Sequence, residues 1–315
     1  MDFVEALKQG NLEAIRECPK ADLHNHFVLG GSRTFLLEKT GRDIQPITNP
    51  LNSMDEMHAW NAENIGDYFN STEGRKMLIR ATFEQAKEDG VSILEIGEDV
   101  WGLGEFFHGD IDELVEAFET ARKEIAPDIE LRLQIGMSRH CDIAYLEDCL
   151  SHFWGCKAFY SIDLYGDELA QPIENFKSIY RRAKAEGLRL KAHVGEWGTA
   201  EDVRRAVEEL ELEEVQHGIA AVSDPSVIRF LVDNHIRLNI TPSSNYLLGR
   251  VADLKTHPIV ELYHEGVDVT INSDDVLIFD SDVSKEYLRL YQSGCMKAEE
   301  LDIIRKNGLK TIRQN

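Results

Sequence analysis

Asp22-Leu23-His24-Asn25-His26 is the stretch that decides how this chain is read. Two histidines stand two apart at the end of an apolar run. On an extended strand, positions i and i+2 share a face, so both imidazoles can reach one ion. Three more short motifs close comparable runs: His193-Val194-Gly195-Glu196, Gln216-His217-Gly218 and Asn272-Ser273-Asp274-Asp275. Polar groups delivered by separate strand ends are how a (β/α)₈ barrel builds a metal site.

Working outward, apolar runs predict eight strands. They lie near Ala21–Phe27, Ser92–Gly97, Glu130–Met137, Ala158–Asp163, Leu188–His193, Glu214–His217, Arg237–Ile240 and Asp268–Asn272. Helical periodicity fills the intervals, as in Gly74–Asp89, Ile111–Ile125, Ile173–Glu186 and Thr199–Leu210. Gly90, Gly187 and Gly266 each stand just before a strand, where a left-handed helix cap fits. The alternation predicts an α/β chain with a (β/α)₈ TIM barrel rather than a doubly wound sheet. We expect one domain over residues 1–315, with a helical extension over 1–18. The first connection, 28–90, is far longer than the rest and is expected to include a helical lid insertion between strands 1 and 2. Trp60, Tyr68 and Phe69 stand there, and packing of the insertion is the favoured account of them over a place in the pocket.

Composition narrows the function. The 315 residues carry a formal charge of −23, which opposes binding to nucleic acid or an anionic membrane. No run reaches the ~18 apolar residues of a membrane span, and no signal-peptide pattern opens the chain. The five cysteines include no CxxC pair, so zinc-ribbon and disulfide frameworks are not expected and a cytoplasmic setting is.

His193 adds a third nitrogen to His24 and His26, and three neutral imidazoles suit Zn²⁺ better than Mg²⁺ or Ca²⁺. Of the adjacent pair Asp274-Asp275, one carboxylate can ligate while the other faces substrate. His217 could orient a metal-bound water or accept its proton.

With these residues in place, the chain resembles the adenosine deaminase family of metal-dependent amidohydrolases. The resemblance rests on Lys20–His26, Ser138-Arg139-His140, Asp163–Glu168, His193–Glu196, Gln216–Gly218, Thr241–Asn245, His257-Pro258 and Ser273–Asp275, in order. It implies one Zn²⁺ per chain, held by His24, His26, His193 and Asp274, with Asp274 also part of the catalytic set. It implies that Glu196 protonates the ring nitrogen beside the attacked carbon and that His217 polarises the metal-bound hydroxide. Asp275 would hold N7 of the purine, and the Gly166 N–H would meet N3. The implied reaction is hydrolytic deamination of an adenosine-type aminopurine, a small-molecule base or nucleoside, with ammonia released. The H-x-E…P-C-x-x-C pattern of cytidine-deaminase-type enzymes is absent. Ser161 and Asp163 close the fourth strand, where binuclear amidohydrolases place a lysine, which favours a mononuclear site.

One departure matters. Nucleoside-acting members carry Asp two residues after the second histidine, in contact with ribose. Here Phe27-Val28-Leu29-Gly30-Gly31-Ser32-Arg33 follows, without a carboxylate. Adenine, another modified aminopurine or a pterin therefore stands as an alternative, with a phosphate met by Arg33 or a non-catalytic zinc-binding pseudoenzyme further behind.

Overall fold

The computed structural model describes residues 1–51 and 53–310. Eight strands form one parallel sheet in sequential order: β1 (Lys20–Asp22), β2 (Val91–Ile96), β3 (Glu130–Ser138), β4 (Phe159–Tyr165), β5 (Arg189–Val194), β6 (Glu214–His217), β7 (Arg237–Ile240) and β8 (Asp268–Ile271). This is the expected TIM barrel. One apolar cluster runs from Phe3 to Ile304, and the barrel-facing helices contribute to it. Ile111–Ile125, for example, buries Leu114, Phe118, Ala121 and Ile125 at helical spacing. The expected boundary at 315 lies outside the described residues.

The first strand corrects an expectation. β1 stops at Asp22, so His24 and His26 do not sit on one face of a strand. The chain leaves the ladder because its polar groups find other partners. The Leu23 N–H donates to Asn272 Oδ1 at 2.8 Å, and Lys191 Nζ and Gln216 Nε2 both donate to the Leu23 carbonyl. The seam between β1 and β8 is closed the same way. Ser273 N–H and Oγ donate to the Asp22 carboxylate, and the Asp274 N–H donates to the His24 carbonyl at 2.9 Å.

Two short helices, α1 (Phe3–Gln9) and α2 (Leu12–Arg16), form the N-terminal extension. α1 packs on the C-terminal helix Ala298–Gly308, which lies across β1 and β8. The long first connection holds α3 (Arg33–Thr40), α4 (Met54–Asn64), a 3₁₀ turn (Gly66–Phe69) and α5 (Thr72–Glu88). α5 packs on β2 as an ordinary barrel helix. Trp60 donates Nε1–H to the Gln45 carbonyl, Phe69 is buried, and Tyr68 is exposed against Phe69. None of the three lines the catalytic cavity, so packing explains them.

Candidate active site

The predicted residues converge at the C-terminal mouth of the barrel, around a cavity of about 540 Å³. His26, His193, Glu196, His217, Asp274 and Asp275 all line it, as does Gly166. His24 lies beneath them, buried.

His26 Nε2 and His193 Nε2 face each other at 3.2 Å, and Asp274 Oδ1 lies 3.6 Å from His26 Nε2 and 3.9 Å from His24 Nε2. His24 Nε2 is buried with no hydrogen-bond partner. Two nitrogens on one tetrahedral zinc at about 2.05 Å stand about 3.3 Å apart. The spacing and the orphaned His24 nitrogen thus fit a metal ion. The far ring nitrogens of His24 and His193 are held as such ligands require. His24 Nδ1 contacts the Asn239 carbonyl at 3.0 Å, and His193 Nδ1 contacts Asp163 at 3.3 Å. Burial pushes His24 down to about 3, so its ring is neutral and able to ligate. Lys191 is not part of this cluster. It is buried in the barrel between Glu95 and Glu214.

His217 is distinguished by its tautomer. The Ile259 N–H donates to His257 Nδ1, so the His257 proton is on Nε2, facing Asn245 Oδ1 at 3.2 Å. Burial lowers His257 to about 3, so the ring carries no second proton. Asn245 must then turn its NH₂ to His217 Nδ1, 3.2 Å away, and the Thr241 hydroxyl reaches the same nitrogen. His217 therefore presents Nε2–H to the cavity, 3.6 Å from Glu196 Oε2. Burial and the neighbouring His24, His193 and His26 rings depress its pKa, so it is neutral. This tautomer leaves a hydrogen-bond donor of His217 facing the cavity.

Glu196 and Asp275 behave alike. Glu196 Oε1 and Asp275 Oδ1 are both buried without partners. Burial, then the Asp274 charge, raises Glu196 to about 8, and the same two causes followed by Glu196 itself raise Asp275 well above the carboxylate range. Both carboxyls are thus protonated donors near neutral pH. Although burial opposes it, Asp274 is held below the usual carboxylate range by its place among the imidazole cluster and Ser244. Asp274 and His217 both take left-handed backbone (φ 61° and 65°) without being glycine, a strained conformation at two residues of the cavity.

Elsewhere in the cavity, Val28 and Leu29 form an apolar patch where the family's ribose-contacting Asp would be. Arg33 does not line the cavity: it pairs with Asp280 at 3.0 Å and donates to the Leu277 carbonyl. Arg75 is the one Lys or Arg among the described lining residues. Its guanidinium lies over the Phe106 ring, with Glu98 3.5 Å away. Sequence reasoning had no role for Asp163, Asn245 and His257, although all three fall within the quoted motifs. Arg75 and Glu98 carried no motif signal at all.

A sequence model of the adenosine deaminase family matches residues 19–312. The chain belongs to this family. A putative adenosine/adenine deaminase of Treponema pallidum is 31% identical over 288 residues, covering 90% of this chain and 95% of its own. The adenine deaminase of Arthrobacter aurescens shares the fold with a TM-score of 0.74 at 25% identity, over 92% of each chain. An amidohydrolase of Burkholderia ambifaria with bound zinc superposes with a TM-score of 0.78 at 20% identity, over 95% of this chain and 87% of its own. Family membership makes this chain a metal-dependent deaminase. No described helix is long and apolar enough to cross a membrane.

Proposed function

We propose that the protein hydrolyses the 6-amino group of an adenosine-type aminopurine, using one zinc held by His24, His26, His193 and Asp274. The observation that carries this reading is the pair of buried, partnerless carboxyl oxygens of Glu196 and Asp275 facing the cavity beside the histidine cluster, where burial favours the protonated form of both. The purine ring nitrogens N1 and N7 lie on either side of the exocyclic 6-amino group, and both accept hydrogen bonds only. Two neutral carboxyls are the donors they need.

A zinc ion held there would supply hydroxide at neutral pH, by lowering the pKa of a bound water to about 7. Attack at the amine-bearing carbon places negative charge on the ring. Glu196 relieves it by giving its proton to N1. Asp275 donates to N7, and the Gly166 N–H meets N3. His217 holds the attacking water through Nε2–H. The amine takes the proton of the newly added hydroxyl as the C–N bond breaks and the 6-oxo group forms, leaves as ammonia, and Glu196 regains from solvent the proton that the nucleophilic water released. α4 acts as the lid, since it contributes Met57, His58 and Asn61 to the cavity lining. Five free cysteines favour a cytoplasmic setting.

Free adenine is the second reading, favoured by the apolar patch at Val28 and Leu29, where a sugar hydroxyl finds no acceptor. Ammonia release from adenine, adenosine, 2′-deoxyadenosine, AMP and N6-methylated adenosine by zinc-loaded protein tests both. A His24→Ala/Glu196→Gln double variant is the blank. Turnover of no aminopurine by metal-bound protein would refute the proposal.

A further inference from the structure

We infer that Glu168 is the residue that positions Glu196: its carboxylate sits in a nest of four consecutive backbone N–H groups and so sets the path of the loop that carries Glu196 into the cavity. The inference rests on the reading of Glu196 as proton donor.

The loop between β5 and the helix Ala200–Leu210 has no ladder to shape it. The chain turns at Gly195 in left-handed backbone (φ 75°), where a Cβ would lie 2.3 Å from Val203 Cγ2. The amides of Gly195, Glu196, Trp197 and Gly198 then all point to one place. Glu168, buried and delivered by the turn after β4, fills it. Its Oε1 accepts from Gly195 N at 2.6 Å. Its Oε2 accepts from Glu196, Trp197 and Gly198 N at 3.1, 2.8 and 3.2 Å. These four N–H groups have no other acceptor among the described residues. A Cβ at residue 198 would stand 2.5 Å from Glu168 Oε1, so Gly198 is small where the carboxylate approaches.

Converging N–H groups make an anion-binding concavity, and a carboxylate fixed inside one holds all four peptide planes at once. Glu196 owns one of these peptides, so its Cα–Cβ direction is set by Glu168. The loop is anchored at its far end by the Thr199–Asp202 capping box, and the Trp197 ring packs under Arg250, so Glu168 is what holds the backbone amides between them. Glu168 has no place among the reacting groups. It is a positioning residue, and a misplacement of about 1 Å at a proton donor costs about 10²-fold in rate.

The test compares wild type with Glu168→Ala, Glu168→Gln and Glu196→Gln, all zinc-loaded, on adenine and adenosine. We expect Glu168→Ala to keep its zinc and its KM within about threefold while kcat falls about 10²-fold. Glu168→Gln should be intermediate, because one amide oxygen can still accept at one of the two positions. Hydrogen exchange supplies a readout independent of substrate. Amides 195–198 should exchange faster in Glu168→Ala while β5 stays protected. Unchanged exchange there, or kcat within threefold of wild type, overturns the inference. So does a parallel loss of zinc, KM and kcat with Gln no better than Ala, which marks a merely structural role. Glu196→Gln separates the two readings. If it is inactive while Glu168→Ala is active, only this inference fails. If Glu196→Gln turns over normally, the reading of Glu196 itself fails.

Discussion

On the proposed reading Glu196 is a carboxylic acid that donates a proton near neutral pH, and its burial favours the donor form. Burial and Asp274 raise its pKa to about 8. The donor form is therefore present below that value and lost above it, so kcat/KM should fall on the alkaline side with an apparent pKa near 8. A profile flat to pH 9.5 would remove Glu196 from the proton step. Glu196→Gln should lose about 10²–10⁴-fold in kcat, the usual worth of a general acid, while retaining bound metal. Substrate choice is tested one residue past the second histidine's neighbour. Val28→Asp places a carboxylate where nucleoside-acting members carry one, and a buried acceptor matched to a hydroxyl discriminates strongly. The variant should shift kcat/KM toward adenosine over adenine by tenfold or more. An unchanged ratio would show that the apolar patch at Val28 and Leu29 does not decide the substrate.

At the level of elements, His24, His193 and His217 are each held by a neighbour from another strand or loop. His193 leans on Asp163 of β4, and His217 of β6 leans on Asn245 and, through it, on His257. Asn245→Asp replaces the NH₂ donor with an acceptor. His217 must then carry its proton on Nδ1 or become charged, and the Nε2–H that faces the cavity is no longer assured. Supporting groups of this kind are typically worth 10–100-fold. We expect kcat to fall in that range with metal content unchanged, read by kinetics and metal analysis. A variant with full kcat would show that the tautomer does not matter.

Across the whole molecule, the β1–β8 seam and the metal cluster are one structure. His24 and His26 follow β1, Asp274 follows β8, and few ladder bonds join the two. An ion bound to both sides ties the barrel closed. Binding to the native state alone adds about 4 kcal/mol at a thousandfold excess over Kd. Chelation should therefore lower Tm by several degrees, and zinc should restore it. An unchanged Tm would argue against a tightly held ion. The metal-free protein should also lose stability as pH rises from about 6.5 to 8. Burial raises Glu98 and Glu286 to about 7 and Glu196 to about 8, so the native state holds protons that the unfolded chain has already released. The buried His24 and His257, both lowered to about 3, act in the opposite direction but only below about pH 6.5. Tm measured across this window should fall, and a rise would contradict the assignment.

The sequence by itself determined the barrel, the eight strands and the set of chemical groups at its mouth. Strand periodicity and ligand type are local properties, and His24, His26, His193, His217, Glu196, Asp274 and Asp275 could be read from where they stand along the chain. The tertiary structure decided how those groups are held. β1 ended sooner than its apolar run implied, because Asn272, Lys191 and Gln216, all distant in sequence, take its backbone groups. The proton of His217, the donor state of Glu196 and Asp275, and the seat of Glu168 each depend on residues brought in from other strands. Burial and hydrogen-bond direction set protonation, and neither exists until the chain has folded.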